Sequence, residues 1–508
     1  MTMRRVWCLA VAALAWVPAA RADVQLRHVF SDNMVLQRGA VVPVFGTADE
    51  GEQVTVKFRG QEVKTTAKDG RWRVDLANME VGGPFEMTVS GKNTLTLKNI
   101  LVGEVWIGSG QSNMQMNVAR TVGGQEAIAA SANPKVRLLT VPRVASPEPQ
   151  SDFKGSWVEA GPTTTPDFSA VLYYFGRDLQ RALGVPVGLI HTSWGGTPAE
   201  AWTPVSALQA DPELKTILDE WDKRLADYPK AKERWEKQMA DWREKVKAAK
   251  AENKPAPQAP RPPGGPDSQG RPGNLYNAMI LPLAPFAFTG AVWYQGEANS
   301  GRADQYAKLL PAMVRGWRKL WGGADFPFYI VALAPFHKIS AEPVESNWAR
   351  LREAQYLTTK AVPNAGLAVI NDSGDENDIH PQRKQPVGER LALLARAKVY
   401  GQKVVCAGPT YRALKVEGAS VRLSFDHLDG GLVCKGDKLT GFTLAGADRK
   451  WYNADARIDG DTIVVTSAQV PQPVALRYGW ADYPVVNLWN GAGLMAVPFR
   501  TDDWPAVR

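Results

Sequence analysis

Histidine and cysteine are both scarce: 508 residues hold five of the first and three of the second. They fall in no zinc-type spacing and form no H-E-x-x-H, so neither a metal centre nor a cofactor is expected. Cys8 belongs to the leader described below. Cys406 and Cys434 leave two readings open, a bridge permitted by an oxidising compartment or two buried thiols, because geometry is not legible in spacing. A strong charge of either sign is also missing. The net +8 is thin over this length, three of the arginines lie in the leader, and neither nucleic acid nor an anionic membrane is implied as a partner. After the first 22 residues no apolar run is long enough to span a bilayer.

The leader itself is informative. Arg4 and Arg5 give a positive start, residues 7–15 form a short apolar core, and Ala20 and Ala22 flank Arg21 in a small-x-small cleavage pattern. Residues 1–22 therefore read as a signal peptide, and the product as periplasmic or secreted.

Residues 23–99 contain short, partly alternating runs such as "VVPVFGTA", "EQVTVKFRG" and "GRWRVDL", separated by Gly, Asp and Asn. That interval predicts a β-sandwich domain. From residue 100 the pattern changes. "ILVGEVWIGSG", "VPVGLIHTSWGG", "FTGAVWYQGEAN", "FPFYIVALAPF" and "AGLAVINDSGDENDIHP" are apolar strands that end in polar loops. Helical runs such as "SAVLYYFGRDLQRALG" and "VGERLALLARAKVYG" lie between them, which argues a parallel α/β sheet with ligands bound beyond the strand ends. This domain is expected in two parts, 100–206 and 274–405.

The insert at 207–273 carries Leu214, Leu218, Trp221 and Leu225, then Trp235, Met239, Trp242 and Val246 after Pro229. The spacing predicts a helical hairpin or a kinked helix with one apolar stripe, docked on the main domain. The Pro-rich run "KPAPQAPRPPGGPDSQGRPG" that follows is a linker, flexible or ordered on contact. Strand patterns return at 406–508, a second β domain.

Four loops at strand ends hold the chemistry. "GQSNM" places Ser112 directly after a strand. It is not the G-x-S-x-G elbow, since Met114 stands at the second glycine, and Ser112 read alone is also an ordinary helix cap. "TSWGGTPAEAW" supplies Gly195 and Gly196, "WYQGEAN" supplies Gln295 and Glu297, and "NDIHP" supplies Asp378 and His380. A hydroxyl, an imidazole, an acid and neutral donors are what acyl transfer requires.

The ordered set "GSGQSNMQM", "SWGGTPAEAW", "WYQGEAN", "DIHP", "VGERLALLA" and "NLWNGAGLMAVPFRTDDW" resembles the sialate O-acetylesterase family of SGNH hydrolases, related to bacterial acetyl-xylan and xyloglucan acetylesterases. The resemblance implies a flavodoxin-like three-layer α/β domain flanked by β-sandwich domains and carrying the helical insert. It implies Ser112 as nucleophile, His380 as base, and Gly196 and Gln295 at the oxyanion. Many SGNH enzymes carry the acid three residues before the histidine, where this chain has Asn377. Asp378 is taken as the orienting acid, with Asp375, Glu297 or a dyad as alternatives. Glu297, beside the oxyanion donors, is expected in a supporting role.

The implied partner is an O-acetylated sugar or glycan. Sialic acid and plant hemicellulose both remain open, and so does a non-catalytic carbohydrate-binding protein. Trp194, Trp202, Trp293 and Trp489 lie in or near the motif loops, and one or two of them should shape the pocket. Arg120, Arg350 and Arg383 are the candidates for a sugar carboxylate.

Overall fold

The computed structural model describes residues 23–505, so the expected leader lies outside the described residues. The spine is a 17-residue strand, Thr94–Gly110. Its first six residues alternate exposed and half-buried, and the next eleven are all buried. The pattern changes because the surroundings change. Residues 94–102 pair antiparallel with Gly82–Ser90, one face toward water, while residues 104–110 lie between parallel neighbours with helices on both faces. One apolar core runs from Val24 to Ala395, so the N-terminal β region and the α/β region share it.

The N-terminal region is a small antiparallel sheet of Gln25–Leu26, Val42–Thr47 and Arg71–Leu76, facing a second group of strands that includes Gln53–Phe58, Gln61–Thr66 and Gly82–Ser90. The central sheet orders its long parallel strands as Val187–Ser193, Thr94–Gly110, Gly290–Tyr294, Phe328–Val331, Ala365–Ala368. In chain order that is 2-1-3-4-5, a doubly wound arrangement whose switch point lies between Thr94–Gly110 and Gly290–Tyr294. The edge pair Asn133–Thr140 and Val158–Ala160 extends the sheet beyond Val187–Ser193.

Three layers follow from side-chain parity. Trp106 packs edge-on against Phe175 of the helix Ala170–Leu183. Trp106 is opposite Gly290, so Trp293, three residues on, points to the other face, where it meets Trp317 of the helix Ala303–Leu320.

The insert is one helix of 40 residues, Pro212–Ala251, not a hairpin, and Pro229 sits exposed inside it. Only its first turns dock on the core, through Leu214, Ile217 and Trp221. The Pro-rich run covers the rest of the stripe. It returns along the helix, and Trp235 and Trp242 give their indole N–H groups to the carbonyl oxygens of Pro260 and Pro257, at 3.1 and 2.8 Å.

The C-terminal region holds two four-stranded antiparallel sheets around their own core of Val421, Leu423, Ile463, Leu476 and Tyr478. It joins the main body through Trp489, Met495 and Val497 against Val369. Arg477, paired bidentately with Asp502, also reaches Glu345 at 2.8 Å. Cys406 and Cys434 are free thiols that pack on different cores, which is why no bridge joins them.

Candidate active site

The strand ends at the switch point are level: Gly110 is opposite both Ser193 and Tyr294. The residues that follow each of these converge. Gly110 has φ +139, and a Cβ there would sit 2.1 Å from the Tyr294 carbonyl oxygen, so only glycine lets the chain turn in this place. Gln111, not Ser112, occupies the cap position of the short turn Ser112–Gln115 and makes no side-chain cap bond. Ser112 is thus not spent on capping.

The Ser112 hydroxyl lies 2.8 Å from His380 Nε2. On the far side of the ring, Nδ1 is 3.4 Å from Asp378 Oδ1, and that same oxygen accepts the His380 backbone N–H at 2.8 Å. Asp375 does not face the ring with a free carboxylate, because its Oδ1 accepts the N–H groups of Asn377 and Asp378 and shapes the turn. Burial holds the His380 pKa below its usual value, Lys384 and Arg120 push the same way, and Asp378 opposes them. The ring is therefore held toward the neutral form that can accept a proton.

Gly195 passes beside the serine, and Gly196 follows it in the chain. Gln115 Oε1 accepts the Gly195 N–H at 2.7 Å, and a Cβ on Gly195 would stand 3.2 Å from the Ser112 Cβ. Gly196 has φ +73 with open space around it. Among the described residues, the backbone N–H groups of Ser112 and Gly196 donate to no protein group. Gln295 is not aimed at the serine. It is fully buried, its amide donates to Thr197 O and to Asn299 Oδ1 at 3.2 and 2.7 Å, and its oxygen accepts from Tyr306. A buried amide needs all its partners, and this one finds them within the fold. The expected side-chain oxyanion donor is thus replaced by a structural amide. Glu297 is also buried. Its Oε1 accepts from Asn113 at 2.6 Å, and burial raises its pKa.

Ser112 and His380 open into a cavity of about 760 Å³, lined on its other sides by Trp194, Arg120, Arg143, Asp167 and His191. Trp194 shapes the pocket. Trp202 and Trp293 are fully buried against each other, and Trp489 sits in the seam with the C-terminal region. Of the arginines, Arg120 lines the cavity, Arg350 is buried near Asp304 and Glu345, and Arg383 donates to the Asp372 carbonyl. The sequence reading missed Arg143, His191, Asn113 and Lys384. His191 is legible once strand register is known, since it lies two residues before Ser193 at the strand end. It bonds Ser193 Oγ at 2.6 Å, and burial lowers its pKa to about 4.

No family model matches the chain. Whole-length relatives do. Sialate O-acetylesterase of Rattus norvegicus is 33% identical over 512 residues, 90% of this chain and 89% of the relative. The Homo sapiens enzyme of the same name is 30% identical over 528 residues, 94% and 92% of the two chains. This chain belongs to the sialate O-acetylesterase family.

Membership extends to the fold. A carbohydrate acetylesterase from Xanthomonas citri superposes with a TM-score of 0.81 at 34% identity, covering 95% of this chain and all of that one. As a sialate O-acetylesterase family member the protein is a carboxylic ester hydrolase. Among the described residues no helix is long and apolar enough to cross a membrane.

Proposed function

We propose that the protein removes O-acetyl groups from sugars through an acetyl-enzyme, on a flavodoxin-like SGNH domain. Ser112 is the nucleophile, His380 the general base and acid, and Asp378 the group that orients the imidazole. Ser112 Oγ attacks the acetyl carbonyl while His380 Nε2 takes its proton. The tetrahedral oxyanion forms against the free N–H groups of Ser112 and Gly196. Collapse expels the sugar hydroxyl, which recovers the proton from His380. Water then repeats the sequence on the acetyl-serine and releases acetate. Each oxyanion donor is typically worth about 3 kcal/mol.

The observation that carries this reading is the 2.8 Å contact of Ser112 Oγ with His380 Nε2 at the rim of a sugar-sized cavity. In the cavity lining two arginines, Arg120 and Arg143, outnumber the one acid, Asp167, which favours an acidic sugar, a sialate, over neutral hemicellulose, because a guanidinium pairs with a carboxylate. The family relatives and the carbohydrate acetylesterase neighbour support the acyl group and the sugar class.

Residues 1–22 are read as a cleaved leader, which makes the enzyme periplasmic or secreted. The proposed domains divide at residues 99, 206, 273 and 405, and the strand Thr94–Gly110 runs through the first boundary.

The test is acetate release from acetylated sialosides, xylan and xyloglucan, read by mass spectrometry with wild type and Ser112→Ala. Release from sialosides that disappears in the variant supports the proposal. Glycan binding without turnover in the wild type would instead mark a non-catalytic carbohydrate-binding protein.

A further inference from the structure

Behind the serine lies an ammonium that the chemistry above does not use. Lys384 is fully buried. It is also the N-cap residue of the helix Gln385–Lys398, where the helix dipole disfavours a cation. Two independent penalties fall on one side chain, and a methionine would fill the space without either.

What the ammonium touches explains its place. Its Nζ donates to Asn113 Oδ1 and lies 5.2 Å over the Tyr294 ring. The Asn113 amide in turn donates to Glu297 Oε1 at 2.6 Å and to the Ile379 carbonyl oxygen at 3.0 Å. Asn113 follows Ser112 directly, and Ile379 directly precedes His380. One hydrogen bond therefore ties together the neighbours of the two reacting groups. A cation on the amide oxygen polarises its N–H groups and strengthens what they donate. Glu297 balances the charge through the same amide, and its Oε2 has no partner among the described residues.

The geometry points to Lys384 and Asn113 as a positioning pair that clamps the serine turn to the histidine loop, with Glu297 as the counter-charge. This rests on the serine mechanism proposed above and extends it to residues that never touch substrate. The electrostatics agree. His380 is faced by Asp378, Arg120 and Lys384, and the two cations lower its pKa. Lys384 is faced by Glu297, Asp378 and Tyr294, and burial brings its pKa down to about 7, so it carries its charge below that pH, the range in which the acid limb of activity lies.

The experiment is steady-state hydrolysis of 4-nitrophenyl acetate across pH by wild type, Lys384→Gln, Asn113→Ala and the double variant. Lys384→Gln keeps a donor for Asn113 but removes the charge. Loss of alignment should lower kcat by roughly ten- to a hundredfold with KM little changed. Removing a cation near His380 stabilises the imidazolium, so the acid limb of kcat/KM should move to higher pH, a shift that mere loss of packing does not produce. The double variant should lose little more than the worse single one, as members of one unit do.

If Lys384→Gln does not fold, Asn113→Ala carries the test through the same fall in kcat at steady KM. Wild-type kcat with an unmoved acid limb in Lys384→Gln, or fully additive losses in the double variant, overturns the positioning role. Turnover retained by Ser112→Ala overturns the serine mechanism itself, which is a separate result.

Discussion

Asp378 holds two groups of His380 with one oxygen: the backbone N–H at 2.8 Å and the ring Nδ1 at 3.4 Å. The shorter contact fixes the turn, and the longer one is beyond ordinary hydrogen-bond range. Asp378 is also half exposed, so water competes for it. The acid should therefore contribute less than in a tightly closed triad. Asp378→Ala is expected to lower kcat/KM on 4-nitrophenyl acetate by roughly ten- to a hundredfold, against a loss of several thousandfold or more for Ser112→Ala. Equal losses in the two variants would show that the contact tightens fully when substrate binds.

The pH dependence follows from the charges around His380. Only the neutral ring accepts the serine proton, so activity rises as pH rises through the His380 pKa, which lies below the usual 6.5. Arg120 is one of the cations that depress it. Arg120→Ala should thus shift the acid limb of kcat/KM to higher pH and narrow the active range on its acid side. Because Arg120 also lines the cavity, the same variant should raise KM for an acidic sugar ester more than for 4-nitrophenyl acetate. Equal effects on both substrates would argue that Arg120 does not meet a carboxylate.

Gly195, beside the serine, and Gly196, which follows it, should behave differently. Gly196 sits at φ +73 in open space, so Gly196→Ala meets no neighbour but strains the backbone by about 1 kcal/mol. The strain falls on the residue whose N–H the proposed mechanism assigns to the oxyanion. Gly195→Ala brings a Cβ to 3.2 Å from the Ser112 Cβ, a contact the serine can relieve only by shifting. Both should keep the fold, checked by thermal melting, and lose kcat. Gly195→Ala should also slow acylation of Ser112, measured as the pre-steady-state burst. Unchanged kcat in Gly196→Ala would remove that N–H from the oxyanion site.

That the Ser112 turn and the Asp378–His380 loop would meet was legible in the sequence, because apolar strands ending in polar loops must present those loops at one edge of a parallel sheet. Gln295 was misplaced for a physical reason: an amide at a strand end reads as a donor for substrate, while the structure buries it one layer deeper. Lys384 was missed because a lysine before an amphipathic helix reads as solvated surface, and nothing local shows that Asn113 and Glu297 enclose it. The long insert was legible as helix, but Pro229 suggested a break. The helix nevertheless runs through Pro229, which is exposed, and the returning Pro-rich run holds the stripe farther along at Trp235 and Trp242.

That run makes the insert testable. Removing residues 215–271 would take Ile217 and Trp221 out of the core and Gln269 away from the Gly195 carbonyl, which it reaches at 3.3 Å. A cut at the core boundary would therefore confuse stability with function. Trp235→Ala with Trp242→Ala is cleaner. It deletes two indole donors and the two apolar rings that carry them against the prolines. The Pro-rich run should then open to limited proteolysis within residues 254–266, while kcat on 4-nitrophenyl acetate stays near wild type. If the insert lengthens the glycan site, turnover of polymeric acetylated substrates falls in the same variant. Parallel loss on the small ester would instead tie the insert to the Gly195–Gly196 turn, with Gln269 as the link.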